Sequence, residues 1–398
     1  MHFSPIERVP GDPILGLMEA YAKDPNPHKF DLGVGVYKDA MGLTPVLAAV
    51  KQAERNLLDR QTSKTYVSGH GDTAFGQLLC ELVLGRDSSL LRDLRVGATQ
   101  TPGGTGALRL CADFIKRCLP GRGIWLSDPT WPIHESIFAS AGLSVSHYPY
   151  VGQDNHLDVP AMLTALETVP KGDIVLLHAC CHNPTGFDLS HEDWENVLEV
   201  VRRRELLPLI DFAYQGFGDG LEQDAWAVRK FAEVLPELLI TSSCSKNFGL
   251  YRERTGALLV CAWDAQKLLD VRSQLAFIAR NLWSTPPDHG AAVVAEILGT
   301  PDLKSLWINE VEEMRVRIAQ LRSGLLDALE PYGLREHFAH IGAQRGMFSY
   351  TGLTPAQVQQ LRDKHSVYMV GSGRANVAGI DASRLDALAK AISEVCTA

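Results

Sequence analysis

No run of about 18 apolar residues occurs in the sequence, so no membrane-spanning helix is expected. The first stretch, MHFSPIERVPGDPILGLMEAY, is interrupted by Glu7 and Asp12 and lacks the apolar centre of a secretory signal. A basic surplus is missing too: 38 Lys and Arg stand against 47 Asp and Glu, a formal charge of -9, which argues against nucleic acid as a partner. The eight cysteines contain no C-x-x-C pair. Cys180 and Cys181 are adjacent, and Cys80, Cys111, Cys118 and Cys244 lie in apolar or mixed contexts. This is the pattern of reduced, buried thiols in a cytoplasmic enzyme, with no disulfide framework and no metal site. Internal repeats, low-complexity tracts and long linkers are also absent.

What is present is alternation. A chain of 398 residues exceeds one compact core and predicts two domains. From about residue 96 to 263, short apolar runs (RVGATQT, GIWLSD, DIVLLHACC, LLPLIDFAY, ELLITSS, GALLVCAW) alternate with helical patterns such as GALRLCADFIKRCL and HEDWENVLEVVRRREL. Such alternation predicts an α/β fold with a mostly parallel sheet covered on both faces. The stretch PDLKSLWINEVEEMRVRIAQLRSGLLDALEPYG keeps helical spacing over many turns and ends at Pro331 and Gly333. A helix that long is suited to bridge two domains. The segments GMFSYTGL, PAQVQQLRDKHS, VYMVGSGRANVAGI and a last helix from about Ser383 predict a smaller α+β unit. KFDLGVGVYKDAMGLTPVL, near the N-terminus, is expected to pack with it.

In open parallel sheets, ligands bind beyond the carboxyl ends of the strands. Five such ends here carry unusual polar residues: the glycine turn with Gly104 and Thr105, then Trp131 with His134, then Asn183, then Asp211 with Tyr214, then Ser243, Ser245 and Lys246. The glycine turn suits a phosphate at a helix N-terminus, although alone such a turn is more often a connection. It matches neither G-x-x-x-x-G-K-[ST] nor G-x-G-x-x-G, so a nucleotide site is not supported. Asp211 closes an apolar run and is either a turn aspartate or a carboxylate held against a cationic ring nitrogen. Lys246 lies in SSCSKNFG with no acidic neighbour, and Arg254 follows eight residues on. A lone loop lysine is ordinarily solvated; one desolvated near another cation becomes a neutral nucleophile. Together these residues call for a ligand with a phosphate, a planar ring, a ring nitrogen, a ring oxygen and an aldehyde. Pyridoxal 5′-phosphate has each of them.

The motifs GVGVYKD, QTPGGTGALR, SDPTWPIH, CCHNPTG, DFAYQGF, SKNFGLYRERTG, STPPDHGA, QRGMFSYTGL and SGRANVAG resemble those of the aspartate/aromatic aminotransferases, a subgroup of the fold-type I pyridoxal-phosphate enzymes. The resemblance covers nearly the whole chain. It implies a large cofactor-binding domain over 45–312, a small domain from 13–44 and 313–398, and an arm over 1–12 that contacts a partner subunit in a homodimer. It implies that Lys246 binds the cofactor covalently and moves the substrate proton. Asp211 would face the ring nitrogen with His134 behind it, Asn183 and Tyr214 the ring oxygen, and Trp131 the ring face. Gly104, Thr105, Ser243, Ser245 and Arg254 would surround the phosphate, with Tyr66 reaching in from the neighbouring subunit. Arg374 would grip the substrate α-carboxylate with help from Asn183, Gly35 would close over the substrate, and Arg280 would meet a side-chain carboxylate in the partner's site. The implied reaction is ping-pong transfer of an amino group from tyrosine or phenylalanine to 2-oxoglutarate, with aspartate as a side substrate. Thr285 stands where aspartate-specific members carry asparagine, which favours the aromatic reading over an aspartate aminotransferase proper.

Overall fold

A computed structural model describes residues 2–8, 13–152 and 155–396. Part of the expected arm, residues 1 and 9–12, lies outside the described residues. The strands are β1 (Phe30–Asp31), β2 (Val96–Pro102), β3 (Ile124–Asp128), β4 (Val145–Pro149), β5 (Ile174–His178), β6 (Leu207–Phe212), β7 (Leu238–Ser243), β8 (Thr255–Cys261), β9 (Phe348–Tyr350), β10 (Val367–Tyr368) and β11 (Arg374–Asn376). Seven of them form one sheet in the order β2-β8-β7-β6-β5-β3-β4. Only β8 is antiparallel to its neighbours, so β2 runs in the same direction as the other five.

The apolar strands are explained by burial on two faces. Along β5, Ile174 and Leu176 pack with the helices Gly103–Cys118 and Ala265–Leu282, through Leu108, Ile115, Leu275 and Ile278. Val175 and Leu177 point the other way, into the cluster with Val197 of His191–Arg203 and Phe231 of Trp226–Val234. Successive residues of a strand face opposite sides, so a strand covered twice has no polar alternation to display.

β4 was not among the expected strands. Its sequence, VSHYP, carries Ser146 and His147 at the sheet edge, and only Tyr148 is fully buried. An edge strand pairs on one side and tolerates polar residues, which removes the apolar signal. The C-terminal segment VYMVGSGRANVAGI divides into β10, parallel to β1, and β11, antiparallel to β9. The segment near Phe30 thus joins the C-terminal unit, as expected. The last helix, Leu385–Cys396, starts slightly later than Ser383 because a short 3-10 turn, Ala382–Arg384, precedes it.

The long helix Pro301–Leu329 has 29 residues and spans about 43 Å at 1.5 Å per residue. Leu303, Trp307, Val311, Met314, Ile318, Leu321, Leu325 and Leu329 recur every three or four positions and are all buried. Its Trp307 ring stacks on Phe248 at 4.4 Å, and its Nε1–H donates to the Asn247 carbonyl at 2.8 Å. This fixes the loop that carries Lys246. Among the described residues, no helix is long and apolar enough to cross a membrane.

Candidate active site

Strand register assembles the centre of the site. In the parallel β5-β6-β7 segment, His178 is opposite Asp211, and Asp211 is opposite Thr241. All three lie at the carboxyl end of the sheet, where a cleft of about 760 Å3, counted out to its open mouth, is lined by residues from five strand ends. The pieces meet there as the strand-end rule requires: Gly104 and Thr105 after β2, Trp131 after β3, Asn183 after β5, Asp211 and Tyr214 in and after β6, and Ser243, Ser245 and Lys246 at and after β7. Gly35, Arg254 and Arg374 complete the walls.

Asp211 is held as an anion. Its Oδ1 accepts from Thr241 Oγ1 at 2.9 Å, and its Oδ2 lies 3.1 Å from His134 Nε2. Burial pushes its pKa up, but the hydrogen bond and charge of His134, then His178 and Thr241, outweigh burial and leave it below the usual value. His134 is fully buried behind it, outside the cleft. Its Nδ1 shares Thr130 Oγ1 (2.9 Å) with His178 Nε2 (3.2 Å). Burial and the neighbouring His134 push His178 down to about 3, despite Asp211, so its ring is neutral at neutral pH.

Lys246 is mostly buried, with Nζ 5.0 Å from the centroid of the Tyr214 ring. Burial pushes its pKa down to about 8; Asp211 opposes this, while Arg254 and Arg374 reinforce it. Near pH 7.5 roughly a quarter of the amine is therefore neutral, against about one part in a thousand for an ordinary lysine. A nucleophilic amine needs that neutral form. The expected consequence is a capture rate for an added aldehyde cofactor that rises about ten-fold per pH unit well below pH 8 and levels off above it. Stopped-flow absorbance of cofactor-free protein measures it; a plateau reached only above about pH 10 would show an unperturbed lysine.

The glycine turn is shaped for close approach. Gly103 has φ 72, and a Cβ there would lie 2.7 Å from Arg254 Nη2; one on Gly104 would lie 3.1 Å from the Ser243 Cβ. The helix Gly103–Cys118 begins here with no side-chain cap. Its first backbone N–H groups, the Ser243 and Ser245 hydroxyls and the Arg254 guanidinium form a cradle for an anion.

Opposite the cradle, Arg374 is 4% exposed. Its Nη1 donates to Asn183 Oδ1 at 3.2 Å and its Nη2 to the Gly33 carbonyl at 2.8 Å, while its Nε is buried with no partner. The guanidinium carbon sits 4.3 Å over the Phe348 ring. Asn183 Nδ2 also reaches Tyr214 OH, at 3.5 Å, which links the arginine to the tyrosine. Gly35 admits this packing, because a Cβ there would lie 2.7 Å from Phe348 Cζ. Burial raises the Tyr214 pKa well above its ordinary value, although Arg374 opposes it, so the phenol stays protonated as a donor.

Tyr66 and Arg280, expected to serve the partner's cleft, lie outside this chain's own. Tyr66 is 89% exposed, and Arg280 is exposed with its Nη1 bonded to Ser284 Oγ. Thr285 is half-buried on the same turn. Conversely, Thr241, His178 and Phe348 belong to the site without having been singled out. His178 ends the strand DIVLLHA and could have been found by the same strand-end rule; Thr241 and Phe348 depend on pairing that the sequence does not display. Cys180, Cys181 and Asp224 bring ligand-type atoms within 4.8 Å of one another. The Asp224 carboxylate is taken by the N–H groups of Gly216, Gly218 and Asp219, and burial pushes both thiols up.

A seven-stranded sheet with one antiparallel strand places a mostly buried lysine and an aspartate in one cleft at its carboxyl edge, an arrangement suited to an α/β enzyme that handles carbonyl and amine groups. The chain belongs to the family described as Aminotransferase class I and II, whose sequence model matches residues 27–392. It is 72% identical over 395 residues to the aromatic-amino-acid aminotransferase of Pseudomonas aeruginosa, covering 99% of each chain. It is 45% identical to the aspartate aminotransferase of Escherichia coli, covering 99% of this chain and 100% of that one. Among solved structures, an aromatic-amino-acid aminotransferase from Burkholderia pseudomallei covalently bound to pyridoxal phosphate superposes with a TM-score of 0.97 at 44% identity, covering 99% of each chain. The protein is a fold-type I aminotransferase.

Proposed function

We propose that the enzyme transfers the amino group of an aromatic amino acid, tyrosine or phenylalanine, to 2-oxoglutarate by a ping-pong mechanism, using pyridoxal phosphate carried on Lys246. The observation that carries the reading is the mostly buried Lys246 amine, depressed to about 8, in one cleft with the ionised Asp211 and the half-satisfied Arg374. The residues fit the cofactor: an anion cradle at one end, a carboxylate in the middle and donors at Asn183 and Tyr214. The 72% identity to an aromatic-amino-acid aminotransferase, against 45% to an aspartate aminotransferase, favours aromatic substrates. Aspartate is retained as a side substrate through Arg280.

When bound, pyridoxal phosphate supplies an electron-withdrawing ring that makes the substrate Cα–H acidic. Asp211, fixed by Thr241 and His134, holds a proton at the ring nitrogen. Asn183 and Tyr214 donate toward the ring oxygen, and Trp131 covers the ring face. Arg374 receives the α-carboxylate, for which its buried Nε is the donor still without an acceptor. Lys246 would take the proton from Cα and return it two atoms away, across the transferred nitrogen, at the carbon that was the cofactor's aldehyde. Gly104, Thr105, Ser243, Ser245 and Arg254 hold the phosphate, and Gly35 closes over the substrate.

Phenylalanine alone is expected to bleach the visible absorbance of the loaded enzyme and release one equivalent of 2-oxo acid, and 2-oxoglutarate to restore the band. Release of carbon dioxide instead would place the enzyme in another reaction class. Arg374→Gln is expected to lower kcat/KM for every amino acid by roughly 30-fold or more, since it leaves a carboxylate without its charged partner. A change confined to one substrate would contradict an α-carboxylate role.

We infer further that the enzyme is a homodimer with shared sites, in which Tyr66 and Arg280 complete the partner's cleft and the N-terminal arm, 1–12, contacts the partner. In support, the helix Ala48–Arg60, which precedes Tyr66, exposes Leu58 at 81%, and the helix Ala265–Leu282, which bears Arg280, exposes Phe277 at 53%. Residues 45–312 act as the large domain, and 13–44 with 313–398 as the small one. The enzyme works in the cytoplasm, in keeping with its unpaired cysteines, six of them buried. Mixed Lys246→Ala and Arg280→Gln proteins, reassociated from monomers, are expected to recover roughly a quarter of wild-type activity on aspartate, because half the dimers then hold one intact site. No recovery would place Arg280 in its own chain's site.

A further inference from the structure

A second polar cleft, of about 780 Å3 counted to its open mouth, lies on the flank of the long helix. Its walls are the helix from Arg315 to Leu326, the turn Phe217, Gly218 and Asp219 after β6, and the segment from Gly342 to Gly346 before β9. Three arginines converge on it, and each has one terminal nitrogen without an acceptor among the described residues. Arg315 uses Nε and Nη2 on Glu312, which leaves Nη1. Arg345 uses Nε on Asp219 Oδ1 and Nη1 on the Ala343 and Gln344 carbonyls, which leaves Nη2. Arg322 uses Nε on Ser349 Oγ and Nη2 on the Gly346 and Phe348 carbonyls, which leaves Nη1.

Arg322 is the informative member because it is only 5% exposed. A buried guanidinium ordinarily finds a carboxylate, and this one has only neutral acceptors. Burial and the nearby Arg345 charge push its pKa down to about 10, which leaves it charged at neutral pH. The carboxylates around it are committed elsewhere. Asp219 is paired with Arg345, Glu312 with Arg315, and Asp224 accepts three backbone N–H groups. One further carboxyl group does not change this, since Asp188 accepts from the backbone N–H groups of Cys181 and His182.

We propose that this cleft binds a phosphate group, free or as the monoester of a small metabolite, through the unpaired nitrogens of Arg315, Arg322 and Arg345. Phosphate suits the set better than a single carboxylate: it carries close to two charges and three acceptor oxygens, one for each arginine. The site is coupled to the substrate cleft. Arg322 grips the backbone of Phe348 and the side chain of Ser349 on β9, and the Phe348 ring lies 4.3 Å from the Arg374 guanidinium carbon on β11. An anion that fixes Arg322 therefore favours the β9 position that presents Arg374 to substrate.

Calorimetric titration of the cofactor-loaded enzyme, whose cofactor cradle is already filled, tests this with inorganic phosphate and glycerol 3-phosphate as probes. One saturable site per chain is expected, weakened about ten-fold or more in an Arg315→Gln/Arg345→Gln double variant by the loss of two charge-assisted contacts. Tighter binding of the ester would identify monoesters as the ligand, and equal binding would identify phosphate itself. Phosphate is also expected to lower KM for the amino acid by about two-fold or more in the wild type and not in the double variant. No saturable binding, equal binding by both proteins, or loss of binding in Arg374→Gln (which would put the anion in the substrate cleft) would overturn the proposal. An unchanged KM in both proteins would overturn the coupling.

Discussion

Replacing Lys246 with alanine is expected to lower kcat by roughly ten-thousand-fold or more and to remove the visible absorbance of the loaded enzyme. Two roles disappear together, since the same amine carries the cofactor and moves the substrate proton. Nothing else in the cleft substitutes. The Tyr214 phenol is held protonated, His178 lines the cleft but is engaged with Thr130 and pushed down to about 3, which makes it a weak base, and His134 stands behind Asp211 outside the cleft. The loss is not one of folding. An amine with its pKa depressed to about 8 is penalised in the folded protein while charged. Between about pH 8 and the ordinary lysine value, the unfolded chain binds more protons than the folded one, so stability from this group rises with pH across that window. Below pH 8 the penalty is complete, on the order of 3 kcal/mol. Cofactor-free Lys246→Ala protein should therefore be no less stable than wild type at pH 7 and should lack the rise above pH 8. Denaturant titrations at pH 7 and 9.5 read both. A variant that still turns over at the wild-type rate would remove Lys246 from the mechanism.

The second large effect is expected at Asp211. Asp211→Asn keeps the shape but cannot remain anionic, and kcat is expected to fall roughly a thousand-fold because the charge aimed at the ring nitrogen is lost at a mostly buried position. Asp211→Glu restores the charge in a displaced position and should recover part of the activity. Thr241→Val, which removes only the donor at 2.9 Å from Oδ1, should cost roughly ten-fold and raise the Asp211 pKa. If Asn and Glu were equally impaired, geometry rather than charge would be the requirement.

The outline of this site was legible because parallel sheets concentrate ligand groups at one edge, and the polar residues interrupting apolar runs mark that edge. Asp211 after LPLI and Lys246 after ELLITSSCS were visible for that reason. Their partners were not. Thr241 is one of three consecutive hydroxyl residues that close an apolar run, and only the register of β6 against β7 brings it, rather than Ser242 or Ser243, under Asp211. Phe348 reaches the cleft through pairing of β9 with β11, two strands of three residues each. β4 is not legible because an edge strand with one buried face has little apolar signal. Arg280 and Tyr66 had no local signature at all: they were named through the family resemblance, and in the single chain they face outward.

The ratio of kcat/KM for phenylalanine or tyrosine to that for aspartate, with 2-oxoglutarate as acceptor in each case, tests the assignment most directly. The assignment predicts a ratio above one, with measurable turnover of aspartate. A ratio far below one would contradict it and make the protein an aspartate aminotransferase.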